Sequence, residues 1–199
     1  MISNSVYNIS MYKSLFNENK AAQVAAFFLM QAGRDLSVLK LMKLMYLSER
    51  SALQQYGEGI VGDRLVSMPH GPVMSVTLNH INGELESCLG GWDSWVSDRA
   101  DHMLALKSEQ KNKTPADLLA LSAADEEILL QTWQQFGPMT GFQLRDYTHL
   151  HCPEWQDPDG SMLPMQPKDL FTALGIAPEL SAAYIARMQE QAALQSVLR

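Results

Sequence analysis

At 199 residues the chain is long enough for one domain with a substantial core. Apolar residues make up 46% and charged ones 19%, which excludes a disordered chain, and 15 Lys and Arg against 22 Asp and Glu give a net charge of −7. That balance argues against a nucleic-acid binder, whose basic excess must neutralise phosphates, and suits a basic partner instead.

Residues 1–18, rich in Asn and Ser, read as a loose lead-in. Ala21 to Gln31 reads as a first helix, with Ala25, Phe28, Leu29 and Ala32 on one face and Gly33 at its end. A second helix is expected from about Ser37 to Tyr56. On it Lys40, Lys43, Arg50 and Gln54 fall in one narrow stripe, while Val38, Leu41, Met42, Met45 and Ala52 fill the opposite side, the pattern of a mostly buried helix. Glu49 lies in the middle of the apolar side. An unpaired carboxylate there would cost several kcal/mol of desolvation, so it needs a partner, and Arg64 and His70 are the nearest candidates along the chain. An internal ion pair is favoured over a catalytic acid–base pair, because one carboxylate and one His with no positioned nucleophile specify no reaction.

The stretch Y-G-E-G-I-V-G-D-R-L-V-S-M-P-H-G-P-V, Tyr56 to Val73, holds the densest punctuation and ionisable residues. Gly57 and Gly59 can take the positive φ that stops a helix and turns the chain. Gly62, Arg64, Val66 and Met68 then alternate with Asp63, Leu65 and Ser67 as in a half-buried strand. Pro69 ends that strand, Gly71 gives a free turn, and Pro72 suits the first position of a third helix, Val73 to Asn82. His70 at this corner could bind an anion at the helix N-terminus, or could bond a backbone carbonyl in a tight turn. Glycine-rich phosphate-loop signatures are missing, so nucleotide binding has no support.

Trp92 to Ser97 and His102 to Lys107 read as hairpin strands that join 62–68 in a small antiparallel sheet. Trp92 and Trp95 suit core aromatics, and Trp95 is also a candidate partner anchor if exposed. Glu109 to Asp117 is a polar loop. Ser122 with Asp125 starts a helix over 123–136 that Gly137-Pro138 stops, and Thr140 with Gln143 starts another over 141–150. Such a pair can mimic a helix-turn-helix, but its second helix carries only Arg145 against Asp146, so no direct nucleic-acid contact is expected. His149, His151 and Cys152 form the one metal-like cluster. Their H-x-H-C spacing fits no common zinc pattern, and no metal or other cofactor is expected. Asp157 to Gly160 is a turn, Pro164 and Pro167 keep the chain extended, and Lys168 to Leu174 is a short helix closed by Gly175. Pro178 opens a final helix with Leu180, Tyr184, Met188, Leu194 and Leu198 along one side.

These elements predict an α+β fold, a mainly helical domain around a small antiparallel sheet, over residues 1–157, with a C-terminal helical extension at 158–199 packed on it. The two cysteines, Cys88 and Cys152, are far apart, no signal-peptide pattern opens the chain, and no apolar run approaches the ~18 residues a membrane span needs. A cytoplasmic protein with no membrane attachment is the expectation.

K-L-M-K-L-M-Y-L-S-E-R at 40–50 running into Y-G, then V-G-D-R-L-V, M-P-H-G-P-V, L-S-A-A-D-E-E-I-L-L at 121–130 and T-H-L-H-C-P-E-W at 148–155, together resemble the Panacea domain. This is the SocA-like antitoxin family, which also takes in proteins labelled phage-associated, and the likeness extends over about residues 20–157. The resemblance implies an antitoxin that neutralises a cognate protein toxin by direct binding, with the toxin differing between members. An adaptor that delivers its partner to a protease is a related reading, and an enzyme using Glu49, Asp63, Arg64 and His70 is the competing one. A homo-oligomer is left open. The motif and candidate interaction residues are Glu49, Tyr56, Gly57, Gly62, Asp63, Arg64, His70, Gly71, Pro72, Trp95 and Tyr184.

Overall fold

The computed structural model describes residues 14–33, 35–97 and 101–198. In chain order its elements are α1 (Glu18–Gln31), β1 (Asp35–Ser37), α2 (Val38–Tyr56), β2 (Leu65–Met68), β3 (Gly71–Met74), α3 (Ser75–Ile81), the single turn α4 (Trp92–Trp95), β4 (Met103–Ala105), α5 (Ala123–Phe136), α6 (Gly141–His151), β5 (Leu163–Pro164), α7 (Pro167–Ala173) and α8 (Pro178–Leu198). The fold is α+β, as its sequence predicts.

Two helices make the centre. The Asn17 side chain caps α1 by accepting the Lys20 N–H at 3.0 Å, and nine consecutive residues from Ala21 to Leu29 are buried. Four of the nine are alanines, so neighbours can approach α1 from all sides, and the one-faced pattern expected of it is too narrow. Ser37 caps α2, and Gly57, at φ +65°, closes it. Helices α5 and α6 pack on α2, each opened by the expected capping box, Ser122 with Asp125 and Thr140 with Gln143. The bounds of α5 match the expectation, and α6 runs one residue further.

The strands depart from the sequence reading. Leu65–Met68 pairs antiparallel with Gly71–Met74 across the two-residue tip Pro69-His70, and on its other side with Leu163–Pro164, giving the order β3-β2-β5. Gly71, Pro72 and Val73 are therefore strand rather than the start of a helix. Pro72 is tolerated because β3 is an edge strand, where a missing N–H leaves no ladder bond unmade. The third helix accordingly begins at Ser75. The segment 92–107 does not join this sheet. Trp92–Trp95 is a helical turn, and Met103–Ala105 pairs with Asp35–Ser37 in a separate two-stranded ladder that the Val96–Leu106 bridge extends. Local pairing across a two-residue tip needs little loop closure and gives β3 one edge of β2, while β5 takes the other. Of the loose lead-in expected over 1–18, residues 1–13 lie outside the described residues, as do 98–100, whereas Leu15 and Phe16 pack against the core and Glu18 opens α1.

Residues beyond 157 are built into the body. β5 pairs with β2, Phe171 of α7 is fully buried, and Met188 and Ala192 of α8 face inward. Leu180 and Leu194, expected on the inward face, are 44% and 66% exposed, because the buried side of α8 runs instead through Ser181, Met188 and Ala192. Among the described residues, no helix is long and apolar enough to cross a membrane.

Candidate functional site

The sequence motifs converge on two buried polar clusters, one on each side of α2. On the first side, Glu49 projects from α2 into the loop that follows it. Its two carboxylate oxygens accept the backbone N–H groups of Val61 and Gly62 at 2.9 and 2.8 Å. Neither Arg64 nor His70 is its partner, so the expected ion pair is corrected to a carboxylate that holds a loop. Gly59 makes this approach feasible, since a Cβ there would fall on the carboxylate. It has no positive φ, unlike Gly57, so its role is room rather than a turn. Burial pushes Glu49 up to about 7, with the N–H groups pulling the other way and the nearby Asp63 adding to the rise.

Asp63 does for α3 what Glu49 does for the loop. Its carboxylate accepts the N–H groups of Val76 and Thr77 at 2.9 and 2.8 Å and the Thr77 hydroxyl at 2.7 Å, capping the helix from twelve or more residues away. Burial holds it up at about 6. Arg64 donates from Nε to the Ser75 hydroxyl at 2.9 Å, beside the same helix start. Glu49 and Asp63 thus hold backbone N–H groups between Val61 and Thr77, and Arg64 braces the Ser75 side chain beside them.

On the other side of α2, Lys43, Tyr46 and Arg50 lie at i, i+3 and i+7 and face α6 and the chain after it. Lys43 is completely buried and donates to the Pro72 carbonyl at 2.7 Å. Burial pulls its ammonium down to about 7. Tyr46 donates to Glu154, whose carboxylate also accepts Arg50 Nε at 2.6 Å. Trp155 Nε1 donates to the Met68 carbonyl at 3.0 Å, and the Gln156 N–H to the Ser67 hydroxyl at 3.1 Å. The K-L-M-K, M-P-H-G-P and T-H-L-H-C-P-E-W motifs are therefore one assembly, in which the hairpin is bolted to α2 by Lys43 and to the segment after α6 by Trp155.

His70 occupies the exposed hairpin tip, away from any helix N-terminus. The anion-site alternative for His70 has no helix start to use there, since the next helix opens at Ser75. Gly71 next to it is buried at φ +94°, directly against Lys43 Nζ and Thr148 Oγ1. Trp95 is buried, at 8% exposure, which removes it as an exposed anchor. Tyr184 is half-buried between Phe171 and Gly57, with Arg187 reaching past it to the exposed Tyr56, whose carbonyl it contacts at 2.7 Å.

The H-x-H-C cluster is dispersed by packing. His149 stacks on Trp155 at 3.9 Å and 11°, His151 lies against Tyr147 at 4.4 Å, and Cys152 is buried with its thiol pushed up to about 12. Among the described residues, no group of three His, Cys, Asp or Glu side chains is placed to hold a metal. Elemental analysis of the purified protein is expected to find well under one zinc per chain, and a stoichiometric level would overturn this assignment.

The residues that sequence reasoning missed are Lys43 as a buried donor, Tyr46, Thr148 and Glu154. One signal for them was present. Lys43, Tyr46 and Arg50 recur at helical spacing in an otherwise apolar helix, which marks a polar seam rather than a solvated stripe.

The model of the family described as antitoxin SocA-like, Panacea domain, matches residues 41–156, a span that begins just before the Lys43 seam and ends just after the Trp155 bolt. No curated protein and no solved structure matches the chain. The family match covers more than half of the chain and contains both polar clusters, and the chain belongs to the SocA-like antitoxin family with a Panacea domain.

Proposed function

We propose that this protein is the antitoxin of a toxin–antitoxin pair and neutralises a cognate protein toxin by binding it directly. Besides family membership, one observation carries the reading: the ionisable residues of the motifs are engaged in bonds that hold the fold together. Glu49 and Asp63 accept main-chain N–H groups, Arg64 bonds Ser75, and Lys43 bonds Pro72. An enzyme using Glu49, Asp63, Arg64 and His70 needs them aimed at a common point, whereas His70 stands at the exposed tip, Glu49 and Asp63 are buried, and the half-buried Arg64 is engaged with Ser75. A scaffold fixed in this way loses little entropy on association, which favours binding.

The test is co-expression with the product of the adjacent gene. Restored growth together with co-purification of the two proteins is the expected outcome. Growth restored with loss of the toxin from the cell would instead assign an adaptor role toward a protease. With a net charge of −7, the protein is also expected to show no duplex DNA binding at physiological salt. A tight, sequence-selective mobility shift at that salt would contradict this.

A further inference from the structure

The loop that Glu49 holds is the floor of an open groove of about 1000 Å3. One wall is the turn into α1 from Leu15 to Lys20, the other is the second half of α8 from Met188 to Gln195, and residues around Leu85 close one end. The lining is apolar through Leu15, Ile60, Leu85, Met188 and Leu194, with Leu85 and Leu194 exposed at 41% and 66%. Its charge is one-sided. Three carboxylates, Glu18, Glu58 and Glu86, line it against the single lysine Lys20, whose ammonium is held 2.8 Å from Asp125, while Glu58 lies 3.7 Å from Arg187 and accepts from Gln191 Nε2 at 3.3 Å, both on α8. Glu18 is kept ionised by Ser87 and by the Trp92 and Cys88 N–H groups, which outweigh its partial burial, and Glu86 is exposed and unpaired among the described residues. His80, stacked near Phe16 and Trp92, is lowered by burial and adds no positive charge at neutral pH.

We propose that this groove is the toxin-docking surface, and that it takes a segment of the toxin with an apolar face flanked by Lys or Arg. The proposal rests on the antitoxin reading and names the surface and the chemistry that reading leaves open. Charge complementarity chooses the occupant: an apolar trough rimmed by carboxylates repels acidic segments and leaves a neutral one without a partner for Glu86. Rigidity suits it to the task. The floor is fixed from below by Glu49, and from the side by the Asn17 N–H, which donates to the Val61 carbonyl at 2.9 Å. The floor also lies within the family match, whereas both walls, at 15–20 and 188–195, lie outside it.

The full-length protein, its Leu194→Asp and Glu86→Lys variants and a Phe142→Lys control on the exposed face of α6 are titrated with the purified product of the adjacent gene. Both groove variants are exposed and are expected to fold as wild type. Each should raise Kd about tenfold or more while Phe142→Lys leaves it unchanged. Amide exchange at residues 58–62 and 188–195 should slow in the complex. Groove variants that bind like wild type, or slowed exchange confined to α5 and α6, overturn the groove and leave the antitoxin reading standing. A wild-type protein that does not bind the adjacent gene's product overturns both. A dimer of the free protein that Leu194→Asp dissociates assigns the groove to a second copy and overturns the proposal.

Discussion

Glu49→Ala is expected to destabilise the protein by about 3 kcal/mol at pH 5, and Glu49→Gln by about 1 kcal/mol. Alanine leaves the buried Val61 N–H and the part-buried Gly62 N–H without an acceptor, at about 1–3 kcal/mol for the buried one and less for the other, and opens a void beside Gly59. Glutamine keeps one oxygen for one of them, so it loses less. Urea denaturation of the three proteins measures the difference, and a Glu49→Ala protein as stable as wild type would rule out a buried carboxylate that holds the loop.

The pH dependence has a definite sign. Folding raises Glu49 from its ordinary 4.5 to about 7, so between those values the native state keeps a proton that the unfolded chain has released. Stability from this group is fully present below about pH 4.5 and declines as pH rises to about 7, by about 3 kcal/mol in all. Asp63, raised from 3.8 to about 6, acts in the same direction over a lower range. Lys43 acts oppositely. Its folded value of about 7 lies below its ordinary 10.5, so from pH 7 upward the unfolded state binds the extra proton and stability from this group rises. Substituting Glu49 removes its share of the decline, so the gap between either variant and wild type should narrow from pH 5 to pH 7.5. An unchanged gap would show that Glu49 titrates alike in the folded and unfolded chains.

What the sequence made legible follows the locality of the forces involved. The helices α2, α5 and α6 could be read closely because the residues that cap or close them sit at the helix ends themselves, at Ser37 and Gly57, Ser122 and Asp125, Thr140 and Gln143. The burial of Glu49 was also legible, from its place on an apolar face. Its partners were not, because backbone N–H groups carry no sequence signature. A carboxylate that bonds Val61 and Gly62 leaves the same trace as one paired with Arg64. The strand at Gly71–Met74 was hidden by Pro72, which reads as a helix start unless the strand is known to lie at a sheet edge. The third strand, Leu163–Pro164, arrives from about a hundred residues away and contains a proline, so neither its pattern nor its distance announced it. The groove depends on three segments, around 15–20, 58–62 and 188–195, that come together only in the fold.

The two neighbours at the hairpin corner should respond in opposite ways. Gly71→Ala is expected to lower stability by about 3 kcal/mol, roughly 10 °C in Tm for a chain of this size. Gly71 sits at φ +94°, where an L residue is strained by about 1–2 kcal/mol. A Cβ there would also lie 2.8 Å from both Lys43 Nζ and Thr148 Oγ1. Both atoms belong to buried residues, and the ammonium bonds the Pro72 carbonyl, so displacing it leaves a buried donor and a carbonyl unmatched. His70→Ala, one residue earlier and exposed, should change stability by less than about 0.5 kcal/mol and leave both toxin binding and protection of cells intact. Thermal denaturation with growth rescue in cells carrying the toxin reads both effects in one set of variants. An enzyme that used the imidazole would lose its activity with His70→Ala while remaining folded. A folded His70→Ala protein that still binds the toxin yet no longer protects cells would therefore refute neutralisation by binding and return the corner to chemistry. A Gly71→Ala protein as stable as wild type would show that Lys43 has room to move and that the bolt between α2 and the hairpin is not under the constraint its burial implies.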